Sequence, residues 1–281
     1  MRLSAFDGMR LQAFTVAGTL IALYRSQPMF PLRDENPTLR TPYAVIFIIA
    51  ANAIAWLALQ GLGSAEPLAR SLCLYGLIPG DLLGLLPAGS QINVGAGLVC
   101  QFDGNANPLS LLTSMFMHGG WLHIIGNMWF LWVFGDNIED VMGPVRFILF
   151  YVLCGLGAAF AQILTDPSSA IPMVGASGAI GGVMGAYALL YPRHHVHTLI
   201  FLGFFATTVA VPAIFMLGYW FVLQIVGGLP ALGRSGGGVA FWAHVGGFVV
   251  GLATVHLFKR PDLFAAHEAQ TQRRTARHRW F

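Results

Sequence analysis

The chain has 281 residues, of which 56% are hydrophobic and only 10% are charged. A soluble domain carries roughly 25% charged residues, so this composition excludes an ordinary soluble protein and points to an integral membrane protein. A net charge of +3 is too small to argue for a nucleic-acid partner.

A spanning helix needs about 20 mostly apolar residues. Residues 11–24 (LQAFTVAGTLIALY) are apolar but too short to span, and they lack the small-residue cleavage pattern of a signal peptide. Six later stretches are long enough: 43–63, 116–135, 146–165, 174–192, 209–228 and 239–258. Residues 63–115 are broken by Pro, Gly and Asp, and read as a long ordered loop lying in the membrane interface. Residues 196–228 run apolar with a break near Pro212. They fit either one span with an interfacial lead-in or two short spans.

Charge placement decides the count. With six spans and the N-terminus inside, 13 of the 15 Lys and Arg fall in cytoplasmic segments, and only Arg70 and Arg234 fall outside. That is the positive-inside pattern. A seventh span would put the tail RRTARHRW on the wrong side. The expected architecture is an all-α bundle of six transmembrane helices with both termini cytoplasmic. Residues 1–42 form a cytoplasmic segment, 43–258 the helical domain, and 259–281 a basic tail that anchors the topology near anionic lipid. The expected setting is a bacterial-type plasma membrane.

Spans 2, 4 and 6 then run in one direction, and their starts share one depth near the outer surface. Each start carries polar groups, which are costly in a bilayer and by default point to function. Span 2 has His118, His123 and Asn127; span 4 has Ser177 within Gly175-Ala176-Ser177-Gly178; span 6 has His244. Taken alone, Ser177 is equally a small residue that eases helix packing. A serine becomes a good nucleophile only beside a base, and His244 offers one. Gly181 and Gly185 continue the Ser177 face, Gly178 and Gly182 form a neighbouring stripe, and Gly247 and Gly251 follow His244; these glycines would let spans 4 and 6 approach closely enough.

His123 and Asn127 are four apart and share a helix face. They suit donation of hydrogen bonds to a developing oxyanion, although Asn127 could also serve as interhelical glue. His118 and His123 are five apart, on different faces, and no Cys or carboxylate completes a metal set, so no metal is expected. No Asp or Glu lies within a membrane core to orient His244. A Ser–His dyad is therefore expected rather than a triad.

Taken together, HxxxxHxxxN (His118, His123, Asn127), GxSG (Gly175 to Gly178) and AHxxG (Ala243 to Gly247, followed by Gly251) resemble the rhomboid family of intramembrane serine proteases. Their order and their placement on spans 2, 4 and 6 match as well. The resemblance implies a six-helix fold that cleaves membrane-anchored proteins in or near their transmembrane segments. Ser177 would be the nucleophile and His244 the base. His123, Asn127 and the Ser177 N–H would form the oxyanion hole, with His118 and Gly175 in support. It implies no metal or organic cofactor, and single-span membrane proteins as substrates. The alternative is an inactive relative that binds transmembrane helices.

The chain departs from the family pattern in places. Leu109-Ser110 stand where some relatives carry Trp-Arg. Gly181 stands where many carry an aromatic ring packed on the catalytic imidazole, a place that Phe241 or Trp242 could fill. The stretch MFPLRDENPT from Met29 resembles a family N-terminus, so residues 1–28 are expected to be a gene-model extension.

Three further expectations concern the bilayer. A helix from Ser177 to about Pro192 is too short for a bilayer core of about 30 Å, so 168–176 is expected to dip inward as a non-helical loop lining a wet cavity. Span 5, with Pro212, Phe215, Trp220 and Phe221, is either a mobile gate or carries ordinary lipid-facing aromatics. Cys73 and Cys100 both lie in the first loop and could pair in an oxidising compartment.

Overall fold

Most of the long apolar runs become helices, and several of their ends lie beside glycine or proline. The computed structural model describes residues 2–5, 29–95, 97–202, 205–231 and 239–278. The apolar stretch 11–24 and the last three residues of the tail lie outside these. In chain order, strands β1 (Arg2–Ala5) and β2 (Met29–Asp34) precede helix α1 (Tyr43–Ala58) and helix α2 (Ala65–Tyr75). A hairpin of β3 (Gln91–Gly95) and β4 (Leu98–Gln101) follows, with β1 on its other edge. Then come α3 (Trp121–Met142), α4 (Pro144–Thr165) and α5 (Ser177–Leu190). A second hairpin, β5 (His195–Leu202) and β6 (Phe205–Pro212), leads into α6 (Ala213–Gly228), α7 (Phe241–Phe258) and α8 (Pro261–His278).

Helix α5 is the centre of the bundle. Every residue from Gly178 to Ala188 is buried, as expected for a helix that is apolar all round. It packs against α7, α4 and α3. Helices α3 and α4 are separated by Gly143 alone, at φ 78°, and Pro144 opens the next helix at its first position. The missing proline N–H costs nothing there.

The outer faces of the helices carry exposed Phe47, Ile54, Trp132, Phe160, Phe215 and Val249. Exposed apolar surface on this scale marks an interaction with something other than water. Among the described residues, two helices, α4 and α7, are long and apolar enough to cross a bilayer. Helices α1, α5 and α6 are shorter, and α3 carries Asp136, Glu139 and Asp140 in its last turns. The six-span count is therefore not established by length alone.

Several features differ from the sequence reading, and the first stretch, read as 43–63, is α-helix only over Tyr43–Ala58. Residues 116–120 precede α3 rather than beginning it, because Gly119-Gly120 delays the helix, and α3 instead runs on to Met142. Residues 209–212 are strand, not helix. The apolar lead-in 195–212 is rich in β-branched and aromatic residues, which favour strands, and it pairs with β2 in the order β2-β5-β6. The segment 63–115 contains a helix, a hairpin and two single helical turns, at Pro79–Leu82 and Ser110–Thr113. A disulfide joins Cys73 on α2 to Cys100 on β4, with Cα atoms 5.6 Å apart and a sequence separation of 27. Closing a loop of that length stabilises by about 3.5 kcal/mol on chain entropy. The basic tail is the helix α8, whose Phe264 and His267 pack on Tyr191.

The acids that end α3 clamp the segment before α1. Glu139 accepts from the N–H groups of Ala44 and Val45, each at 2.9 Å, and so caps α1 from another helix. Asp140 accepts from the N–H of Leu39 at 2.6 Å and of Arg40 at 3.0 Å, and Thr38 donates to Asp136. Beside them, Tyr187 Oη donates to Asp34 at 2.5 Å.

Burial pushes the Asp34 carboxyl up to about 7, with the charge of Asp136 adding to the rise against the opposing hydrogen bond from Tyr187. In the unfolded chain it titrates near 3.8. Folding therefore favours the protonated acid. Its contribution to stability is full below about pH 4 and is lost as pH rises through about 7. Asp34→Asn keeps an acceptor for Tyr187 and removes the titration. Between pH 4 and 7.5, the thermal midpoint of the purified wild type should fall relative to this variant. Parallel curves would contradict the assignment.

Candidate active site

Helices α3, α5 and α7 bring their N-terminal ends together. Ser177 is the first residue of α5, where the backbone N–H groups of the opening turn have no partner within the helix. The helix dipole favours negative charge at that end. His244 lies in the first turn of α7, and its Nε2 is 2.8 Å from Ser177 Oγ.

The approach depends on glycine. A Cβ at Gly247 would collide with the carbonyl oxygen of Gly178, and one at Gly251 with that of Gly182. A Cβ at Gly185 would strike the carbonyl of Phe248. Helices α5 and α7 thus cross backbone on backbone, closer than any side chain permits.

The loop before Ser177 is non-helical from Asp166 to Ala176, and Met173 pairs with Leu77 of the first loop. Gly175 sits at φ 121°, with its N–H donating to the Ser114 carbonyl at 2.9 Å. A side chain there would be strained by the backbone and would also meet His123 Nε2 at 2.7 Å and Ser177 Oγ at 3.5 Å. The same glycine therefore has His123 and Ser177 on one side of it.

The Gly119 N–H donates to His123 Nδ1 at 3.2 Å. An acceptor Nδ1 puts the ring proton on Nε2, the nitrogen beside Gly175. Asn127 follows one turn along α3, buried, and its Nδ2 has no protein partner. His118 precedes the helix and is fully buried, its ring edge-to-face with that of His123 at 5.1 Å. The buried Gln60 holds the His118 backbone from both sides: Nε2 donates to the His118 carbonyl at 2.8 Å, and Oε1 accepts from its N–H at 2.8 Å. This amide and the disulfide are two ties that hold the first loop to the fold.

All six residues singled out by sequence are thus at or beside one end of the bundle. Ser177 and His244 are in direct contact, His123 and Gly175 adjoin them, and His118 packs behind His123. Among the described residues, no group of three His, Cys, Asp or Glu is disposed to hold a metal ion.

The contacts that two side chains of α6 make with His244 escaped the sequence reading, which places Trp220 only in a gate or on the lipid face. Trp220 packs its ring on His244, centroids 5.7 Å apart and planes at 35°. It takes the place expected of Phe241 or Trp242, which instead pack on Gly227 and Gly228. The ring comes from α6 because Gly181 faces the backbone of α7: a Cβ there would lie 3.1 Å from the His244 carbonyl. One turn on from Trp220, Gln224 Oε1 is 2.8 Å from His244 Nδ1. Of the span-5 aromatics, Phe215 is exposed, whereas Trp220 and Phe221 face inward, Phe221 stacking on Phe248 at 4.5 Å. The available signal was an amide alone in an apolar helix, four residues after a tryptophan.

Residues 105–261 match the Rhomboid domain family. The chain is 27% identical over 191 residues to Rhomboid protein 1, mitochondrial, of Saccharomyces cerevisiae, covering 66% of this chain and 50% of that protein. It is 34% identical over 128 residues to Rhomboid protease GluP of Bacillus subtilis, covering 46% and 24%. Over 76 residues it is 40% identical to RHOMBOID-like protein 5 of Arabidopsis thaliana, covering 27% and 25%. The chain thus matches a quarter to a half of the length of these relatives. The domain match takes in more than half of the chain, and every polar residue gathered at the N-terminal ends of α3, α5 and α7 lies inside it. On that ground the chain belongs to the rhomboid family of membrane-embedded proteins.

Proposed function

We propose that the protein is an intramembrane serine endopeptidase that cleaves single-span membrane proteins in or near their transmembrane segments. The observation that carries the reading is the contact between Ser177 Oγ and His244 Nε2 at 2.8 Å. Ser177 Oγ attacks the scissile carbonyl while its proton passes to His244 Nε2. The oxyanion forms at the start of α5, where the Ser177 N–H, His123 Nε2–H and Asn127 Nδ2–H2 are the donors available to it. His244 then returns the proton to the leaving amine, and water hydrolyses the acyl-enzyme by the same route.

In this reading the six helices α1, α3, α4, α5, α6 and α7 all cross the bilayer, and both termini lie on the cytoplasmic side of a bacterial-type plasma membrane. The domain is 43–258, with 1–42 and the basic 259–281 on that side. The 14 residues of α5 give about 21 Å at 1.5 Å per residue, well short of a bilayer core of about 30 Å. Ser177 therefore lies below the outer surface, and the non-helical segment before it lines a cavity that admits water. The exposed apolar faces of the helices support the membrane setting. The chemistry calls for no metal or organic cofactor.

The test is reconstitution in lipid vesicles with a panel of single-span substrates, comparing wild type with Ser177→Ala. Cleavage by the wild type alone supports the proposal. Binding of the substrates without cleavage by either form would instead favour the inactive, helix-binding alternative.

A further inference from the structure

We infer that Gln224 is the third member of the site, a positioning residue that fixes the tautomer and orientation of His244; the inference rests on the serine-protease reading above. Gln224 is buried, 2% exposed, in the otherwise apolar helix α6. A buried amide without partners is costly, and this one is tied down at both ends. Its Nε2 donates to the Trp220 carbonyl one turn back at 3.1 Å. That carbonyl can only accept, so the amide has a single orientation, with Oε1 turned to His244 Nδ1 at 2.8 Å. Oε1 in turn can only accept, so Nδ1 must carry the ring proton. Nε2 is then left with its lone pair toward Ser177 Oγ at 2.8 Å. This is the tautomer that removes a proton from the serine.

The line Ser177–His244–Gln224 reproduces the hydrogen-bond logic of a hydrolase triad with an amide in place of a carboxylate. The substitution fits the surroundings. An ionised carboxylate inside a bilayer is far more costly than an amide, and a neutral acceptor sets the tautomer without that penalty. Trp220, on the same face of α6, packs on the imidazole and restricts its plane. The histidine is thus held by α6 along its Nδ1 edge and over one face.

Gln224→Leu keeps the length and shape while removing the acceptor, and Gln224→Met is a second such variant with a more adaptable chain. Gln224→Glu restores an acceptor at the same reach. Purified proteins are compared in lipid vesicles on one cleaved substrate, with unfolding midpoints as a check on folding. The expected result is a kcat lower by roughly 10-fold or more in both the Leu and Met variants, with KM unchanged, because tautomer and orientation act in the chemical step. Gln224→Glu should recover most of the lost kcat. A wild-type kcat in either the folded Leu or the folded Met variant would overturn the inference while the protease reading stood. A rise in KM alone, or no recovery with Glu, would also overturn it by assigning Gln224 a packing role. A wild type that cleaves nothing would remove the protease reading, and this inference with it.

Discussion

Ser177→Ala is expected to lower peptide cleavage by roughly 10⁴-fold or more, to below detection. The magnitude follows from what the oxygen does: without Oγ no acyl-enzyme forms, and only binding and the oxyanion donors remain. The fold should hardly register the change. Alanine suits the first turn of a helix, and the lost contact to His244 is one hydrogen bond, worth about 1 kcal/mol net. Substrate should still bind, and the unfolding midpoint should move by no more than about 4 °C. Residual cleavage above a tenth of the wild type would mean that another group is the nucleophile.

The second large effect comes from a residue with no chemistry of its own. Gly247→Ala places a Cβ where the carbonyl oxygen of Gly178 already sits. The obstacle is backbone, which cannot rotate away, so α5 and α7 must separate. Overpacking of this kind costs about 1–3 kcal/mol. The functional cost is larger, because Ser177 and His244 stand on the two helices being pushed apart, and a misplacement of about 1 Å can cost around 100-fold in rate. We therefore expect a loss of at least that size together with a lower unfolding midpoint. Gly126→Ala and Gly218→Ala are the controls: each has open space where the Cβ would go, and both should keep wild-type cleavage. Wild-type cleavage by Gly247→Ala would show that the close crossing is not needed for the site.

The parts of this fold that could be read from sequence are those set by local physics. Long apolar runs marked the helices. Paired glycines foretold the approach of α5 to α7, because only glycine lets two helix backbones touch. The residues gathered at the site were visible for a related reason, since polar groups in apolar helices stand out.

What escaped depended on distance across the fold. The apolar lead-in 195–212 looked like membrane because hydropathy does not separate a β-branched strand from a short span, and its pairing with β2 is contributed by a segment 160 residues or more away. The pairing of Cys73 with Cys100 needed their 5.6 Å Cα separation, which no spacing rule supplies. Gln224 was passed over because the partner of a catalytic imidazole was sought among acids. Trp220 is read from sequence as a gate or lipid-facing ring, because the ring on His244 is expected from Phe241 or Trp242 nearby in sequence, whereas it comes from the helix between Ser177 and His244 in the chain. The acids ending α3 have a task that needs contacts 94 to 101 residues apart, holding the segment before α1.

The central claim is that His244 activates Ser177. A fluorophosphonate probe tests it without knowledge of any substrate: Ser177 Oγ displaces fluoride from phosphorus, its proton passing to His244, and leaves a stable ester. Intact-mass measurement and peptide mapping of the purified protein should find one adduct, on Ser177, in the wild type, and none in Ser177→Ala or His244→Ala. No adduct in folded wild type, or equal labelling of Ser177 in His244→Ala, would contradict the account.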